Sequence, residues 1–400
     1  MSVSEWREVR IGDIGDVVTG KTPSSKNPEY FGDEIPFVTP TDYKNYHKNI
    51  YSSERYLSQA GKEVLGNKLL PINSVIVTCI GSDMGKVAIN KVECITNQQI
   101  NSIILKRDLA DSDFIYYTLI SMQEYLKMLA RGGTTMPIVN KSTFEEIKLL
   151  LPPFPEQKAI AATLSALDDM IELNNQINKT LEEMAQAIFK SWFVDFEPFR
   201  DGEFEESELG LIPKGWRVGV LGDIIDIFDS KRVPLSNRQR SVMEKKYPYY
   251  GAATLMDYVD NYIFDGVYVL LGEDGTVMDE KGYPILQYVW GKFWVNNHAH
   301  VLKGKGVFSD EYLYILLKNT NVASIVTGAV QLKINQNNLT GLKIMIPPED
   351  VVKQYNDVVK DIFACFRSNA DEIKILISLR DTLLPKLMSG EIRVPVEEVV

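Results

Sequence analysis

Four stretches of this 400-residue chain carry residue types that could do chemistry. Gly15-Asp16-Val17-Val18-Thr19-Gly20-Lys21-Thr22 matches the phosphate-loop pattern GxxxxGK[ST]. That mechanism needs backbone amides curled round a phosphate and a helix that starts at once. Here Pro23 and Pro28 follow among Ser, Asn and Lys, so no helix is expected. A basic loop of Lys21, Thr22, Ser24 and Lys26 suits DNA phosphates or base edges better than a nucleotide. Leu151-Pro152-Pro153-Phe154 resembles the amino-methyltransferase motif in which Asn, Asp or Ser precedes two prolines. Leu151 offers no acceptor for a target amine, and no glycine-rich methyl-donor loop accompanies it. Glu244-Lys245-Lys246, with Asp229 upstream, fits half of a nuclease motif, a pattern common by chance. His298 and His300 could clamp a metal from one strand face, but no third ligand is signposted, so a packed or surface pair is expected. The chain is therefore expected to hold no catalytic site, no metal and no cofactor of its own.

The elements that must position these residues are organised by two long helices. From Ile160, apolar residues fall at alternating steps of four and three: Ile160, Leu164, Leu167, Ile171, then Leu181, Ala185, Ile188 and Trp192. That is a heptad seam, and it wants a partner helix. Asn174 and Asn178 interrupt its middle. A second seam lies 195 residues on: Tyr355, Val359, Ile362, Phe366, Asn369, Ile373, Leu376, Arg380, Leu383 and Leu387. Matched register predicts that the helices pack on each other, and a seam Asn can fix register. If they pair antiparallel about a pseudo-twofold axis, Asn174 and Asn369 should meet near it.

The chain's net charge of −11 is unevenly spread. Residues 1–150 carry 17 basic and 18 acidic side chains, and residues 211–348 carry 15 and 13, so the excess acid sits on the helices and the linker between. A near-neutral block can still hold a basic face, and a phosphate senses local charge. No stretch approaches ~18 apolar residues, so no membrane span is expected. The N-terminus does not read as a signal peptide. Three scattered cysteines, Cys79, Cys94 and Cys365, fit a reducing cytoplasm.

Residues 1–153 read as a strand-rich block, with Val75–Thr78, Lys86–Ile89 and Asn101–Leu105 as strands and Phe114–Leu129 as a helix. The block returns after the first helix and linker (154–199, then from 200) and ends at residue 348, before the second helix and tail (349–400). Trp6-Arg7 ahead of Ile11-Gly12-Asp13-Ile14 recurs as Trp216-Arg217 ahead of Leu221-Gly222-Asp223-Ile224. Thr96-Asn97 resembles Asn296-Asn297, Gly133–Asn140 resembles Gly328–Asn335, and Ile147–Pro153 returns as Leu342–Pro348. The fold class is α+β: two strand-rich domains alternating with two long helices, as a pseudo-twofold repeat.

This layout resembles the specificity subunit of type I restriction-modification systems over essentially the whole chain. So do Glu208-Leu209-Gly210-Leu211-Ile212-Pro213-Lys214-Gly215-Trp216, Leu384-Pro385-Lys386-Leu387-Met388-Ser389-Gly390-Glu391-Ile392, and Pro152-Pro153 ahead of Glu156-Gln157. The resemblance implies a non-catalytic, cytoplasmic DNA-binding subunit. Each block would be a target-recognition domain for one half of a bipartite site in double-stranded DNA. The helices would pair as an antiparallel coiled coil, set the spacing and dock two methyltransferase subunits. S-adenosylmethionine would lie in that partner, and ATP and Mg in a restriction and translocation subunit. The second helix opens on Glu349-Asp350 instead of Glu-Gln, so the docking ends need not be equivalent.

The residues expected to contact DNA lie in the paired loops. In the first block they are Lys21, Thr22, Ser24, Lys26, Lys86 (in Gly81–Lys86, which also reads as a hairpin turn), Arg131, Thr134 and Thr135. In the second they are Lys231, Arg232, Ser236, Asn237, Arg238, Arg240, Lys245, Lys246, Tyr249, Tyr250, Gln331 and Lys333. Arg fits guanine bidentately, Asn fits adenine, and Lys mainly neutralises phosphate. Two rival readings are a coiled-coil scaffold whose blocks bind protein, and an enzyme using the apparent phosphate loop.

Overall fold

A computed structural model describes residues 6–44, 48–130, 138–328 and 330–395. The chain divides into two units, Met1–Leu173 with Ile373–Val400, and Asn174–Glu372. Each contains part of both long helices, Phe154–Phe193 and Glu349–Met388.

In the first unit, alternating β-branched residues build a five-stranded sheet in the order Gly15–Thr19, Ile100–Leu105, Val75–Thr78, Val87–Asn90, Asn49–Ile50. A four-stranded sheet accompanies it, in which Ile35–Val38 runs parallel to Ile95–Thr96. Arg7–Arg10 pairs with Lys148–Leu151. The expected helix over 114–129 is two helices, Ser112–Ser121 and Gln123–Ala130. The break falls at Met122, whose N–H is shared between the carbonyls of Thr118 and Leu119 at 3.2 Å each. Ile160 and Leu164 of the first long helix and Leu387 of the second belong to the core of this unit. Asp168 accepts from Arg380 at 2.8 Å and from the Tyr117 hydroxyl at 2.5 Å.

The second unit repeats this plan. Its main sheet runs Ile225–Ile227, Ala299–Gly304, Tyr268–Gly272, Leu286–Val289. A second four-stranded sheet again contains one parallel pair, Tyr247–Tyr250 with Lys292–Val295. Arg217–Val220 pairs with Lys343–Ile346, as its counterpart does. Helix Asp310–Lys318 is capped by Ser309, and Ser112–Ser121 by Asp111, each accepting from amides of the first turn.

Every seam position named above is buried or half-buried: Ile160, Leu164, Leu167, Ile171, Asn174, Leu181 and Ile188 on the first helix, Val359, Ile362, Phe366, Asn369, Ile373, Leu376 and Leu383 on the second. Towards the end of the first helix the most buried side chains are Phe189 and Phe193, one residue beyond Ile188 and Trp192. A straight helix drifts about 20° per heptad from a 3.5-residue repeat, which carries the seam round to these rings. Their rings pack tilted or edge-on within 6 Å of Tyr312 and Tyr355. Asn369 does not pair with Asn174 as expected. Its amide donates to Asn178 at 3.1 Å, Asn178 donates to the Phe366 carbonyl, and Asn174 donates to Glu372 at 3.2 Å.

Candidate nucleic-acid interface

The apparent phosphate loop is the edge strand Gly15–Thr19 and the turn after it, with no helix following directly. Its glycines serve close packing. A Cβ on Gly15 would sit 2.7 Å from the Ile104 carbonyl oxygen, and one on Gly20 2.2 Å from that of Asn97. Lys21 N–H bonds the Thr96 carbonyl at 2.9 Å, so the chain turns against the strand Ile95–Thr96 instead of opening a phosphate cradle. Leu151 closes a strand and is buried. Gln157 next to it is fully committed: its side chain donates to the carbonyls of Leu109 and Pro152 and accepts from Asp111 N–H. Glu156 is likewise buried, taking Trp6 Nε1 at 3.3 Å and Arg393 at 2.6 Å. The Glu-Gln opening is thus a structural clasp in this unit.

The sheet ends bring the candidate loops together. In the first unit Thr19 Oγ1 donates to Asn101 Oδ1 at 2.7 Å, and Asn101 Nδ2 donates to the Val139 carbonyl at 3.1 Å. Val139 N–H bonds the Cys79 carbonyl. One knot therefore ties the loop of Lys21, Thr22, Ser24 and Lys26 to the start of the 79–86 turn and to the chain leaving 131–137. Lys21, Ser24 and Lys26 are exposed, and Thr22 is half-buried with its hydroxyl on Gln98. Lys86 pairs with Asp83 in the hairpin between Val75–Thr78 and Val87–Asn90. Arg131, Thr134 and Thr135 lie outside the described residues.

The second unit has the same knot with different chemistry. Asp229 occupies the place of Thr19, and His300 that of Asn101: Thr19 pairs with Asn101 at the end of its edge strand, and the register Ile227↔Leu302, continued by two residues, sets Asp229 opposite His300. His300 Nδ1 lies 2.5 Å from Asp229 Oδ2 and Nε2 2.8 Å from the Ile334 carbonyl. Ile334 N–H bonds the Glu273 carbonyl, as Val139 does that of Cys79. Arg232 donates to Glu273 at 2.7 Å and to the Ala299 carbonyl at 2.6 Å, and lies 3.4 Å from Asp229. Gln336 and Val301 N–H also donate to Asp229. Burial raises the Asp229 carboxyl, but His300 and these donors outweigh it and hold it below its ordinary value. His298, by contrast, is half exposed beside Asp274 at 2.5 Å. The third ligand that the sequence did not signpost for His300 is a carboxylate pair, and the Arg232 guanidinium already lies against both members.

The six basic candidates of the 231–246 loop therefore separate. Arg232 is taken up as above. Arg240 is buried, bonding Asp257 at 3.1 Å and the Leu235 carbonyl at 2.5 Å, with its guanidinium over Tyr249. Lys245 is held by Asp257 and the carbonyls of Arg240 and Tyr258. Lys245, the Tyr258 N–H and Arg240 hold the Asp257 carboxyl down at about 2. Lys231, Arg238 and Lys246 are exposed and have no carboxylate partner among the described residues. Ser236 caps the short helix Asn237–Arg240, and Asn237 accepts from Arg240. Tyr249 is buried with its hydroxyl on Leu235 N–H, and burial lifts the Tyr250 hydroxyl to about 12. Gln331 and Lys333 are exposed, Lys333 lying 3.4 Å from Glu273. The sequence comparison of the blocks is one residue out here. Asn97 is matched by Asn296, not Asn297, since each accepts from the N–H two residues on, Gln99 and His298.

Each unit thus carries a like sheet frame whose polar loops are gathered by the same knot. The family profile described as "Type I restriction modification DNA specificity domain" matches residues 3–183 and 213–378, and the chain belongs to that family. It is 32% identical to the type I restriction enzyme MjaIX specificity subunit of Methanocaldococcus jannaschii, over 98% of this chain and 94% of that one. To the HindI specificity subunit of Haemophilus influenzae it is 23% identical, over 98% and 100%. The crystal structure of the type I S subunit from M. genitalium shares the fold, with a TM-score of 0.62 at 18% identity over 97% of both chains. This chain is accordingly a type I specificity subunit: it recognises the DNA target and is not itself catalytic. Subunits of this kind bind DNA and assemble with other subunits. No helix among the described residues is long and apolar enough to cross a membrane.

Proposed function

We propose that the two blocks, residues 1–153 and 200–348, are separate target-recognition domains, each reading one half of a bipartite, non-palindromic site. The observation that carries this reading is the repeated knot. It anchors equivalent loops in both units but leaves them different side chains, and unlike readers on like frames recognise unlike half-sites. Exposed Lys21, Lys26, Lys231, Arg238 and Lys246 are the phosphate and base contacts of first choice.

The long helices, 154–199 and 349–400 with the tail, pair as an antiparallel coiled coil that spaces the readers and docks two methyltransferase subunits. Buried seam positions support this. So does the order of partners: within the second unit residues 174, 178 and 193 meet 372, 369 and 355 in turn. Those partners carry S-adenosylmethionine for adenine N6 methylation, and restriction subunits carry ATP and Mg, in the cytoplasm where their DNA lies. The test is selection of bound DNA from a random pool by the chain with its methyltransferase partner. A split motif of two unlike halves at fixed spacing is expected; an assembled complex that selects no motif refutes the reading and favours a protein-binding scaffold.

A further inference from the structure

The cluster Asp229–Arg232–Glu273–His300 has a composition that recognition alone does not require. An aspartate, a glutamate and a histidine whose donor atoms lie within 4.8 Å of one another could hold a divalent cation. The geometry argues against it. The Arg232 guanidinium already bridges Glu273 and Asp229, and both nitrogens of His300 are engaged, one by Asp229 and one by the Ile334 carbonyl. With an acceptor facing each ring nitrogen, His300 has neither nitrogen free for a metal ion. The cluster is then an enclosed network in which Arg232 lies against both carboxylates. Pairs of this kind contribute little net stability, because desolvation offsets attraction, but they hold one geometry where a looser contact would hold several.

What the cluster holds is the base of the loops. Asp229 and Arg232 begin the 229–246 loop. Glu273 follows a central strand, Tyr268–Gly272, and also takes Lys333 of the 327–333 turn. His300 reaches the carbonyl that follows that turn. In the first unit the equivalent side chains are Thr19, Thr22, Cys79 and Asn101, all uncharged, and the hydrogen bond from 101 to 139 is preserved. The same backbone position thus accepts either a neutral pair or an ionic one.

We propose that Asp229, Arg232, Glu273 and His300 are the positioning residues of the second reader. They orient the 231–246 and 327–333 loops for base contact, as Thr19 and Asn101 orient those of the first. This rests on the assignment of the loops as DNA readers. The test is the double variant Asp229→Thr with His300→Asn, in complex with the methyltransferase partner. It replaces the Asp–His pair together and installs a pair that the first unit already accommodates. Random-pool selection should return the motif with its first half and spacing intact and its second half degenerate, discrimination there falling at least tenfold. A role confined to stability would lower Tm and weaken all sequences alike, leaving the second half as sharp as in the wild type, and that result overturns the proposal. If the double variant does not assemble, Arg232→Lys, which keeps the charge but loses the fork, is read against the same two outcomes. A wild-type complex that selects no split motif overturns the reader assignment itself. A wild-type motif that the variants leave unchanged overturns the cluster's role alone.

Discussion

Removing Lys231, Arg238 and Lys246 together should change how DNA affinity responds to salt. These three side chains are the exposed basic residues of the 231–246 loop with no carboxylate partner among the described residues, while Arg232, Arg240 and Lys245 are held by Glu273, Asp257 and backbone carbonyls. A cation that meets a phosphate releases condensed counterions, so the slope of log affinity against log salt falls by about 0.9 per contact, or about 2.7 for three. Between 50 and 200 mM salt the wild-type complex should therefore lose about 40-fold more affinity than Lys231→Ala/Arg238→Ala/Lys246→Ala. The assay is fluorescence anisotropy on the selected duplex, at four salt concentrations, with the methyltransferase complex intact. Lys245→Ala is the control: its ammonium already has three partners in the fold, so it should move the slope by well under one. An unchanged slope in the assembled triple variant would show that this loop does not face the duplex.

Three further outcomes follow from the packing and electrostatics. Phe193→Ala removes a ring that packs within 6 Å of Phe189, Trp216, Tyr312 and Tyr355, and should destabilise the second unit by about 3–5 kcal/mol, seen by calorimetry as a lower Tm for that unit's transition. The Asp257 carboxyl is held at about 2 in the folded chain against an ordinary value of 3.8, so its stabilisation is present above pH 4 and is lost as pH falls from there towards 2. The Tm of Asp257→Asn should lie below the wild type at pH 6 and converge on it near pH 2; parallel curves would contradict the assignment. Deleting one heptad from each long helix should shorten the preferred spacer by about three base pairs, because seven residues rise about 10 Å along a helix. Selection and sequencing reads the spacer directly, and an unaltered spacing would mean that the helices are not the ruler.

The frame was legible because it is written in periods. The heptad seams needed only the spacing of Ile160, Leu164 and Ile171 and their echo 195 residues later, and each named position is at least half-buried. The pairing of Asn369 was not legible at the level of single partners. Asn174 and Asn178 are both seam residues one turn apart, and side-chain reach decides between them. The strands were found where β-branched runs are bounded by turns, and the helix break at Met122 was missed because no Gly or Pro marks it. Among loop residues, sequence showed which side chains are basic but not which have carboxylate neighbours. Arg240 and Arg238 look alike in the chain, yet one is packed over Tyr249 and the other is exposed. The signal that could have separated them is Asp257, whose distance in sequence hides its place on the adjacent strand.

The two knots show how one backbone frame carries unlike buried side chains at the same place. The repeat requires backbone continuity at the strand end: an acceptor carbonyl at 139 or 334, and a side chain at 101 or 300 that can donate to it. Asn meets that demand alone. His meets it from Nε2, and its second nitrogen faces Asp229. A buried Asp in turn draws in Arg232 and Gln336 as donors, and Arg232 brings Glu273. The side chain at the equivalent of Asn101 is thus linked through Asp229, Arg232 and Glu273 to the loop that begins at Lys231. If the buried set positions the loops as proposed, exchanging exposed side chains between the two loops without it should not transfer base preference, as random-pool selection with the exchanged chain would show.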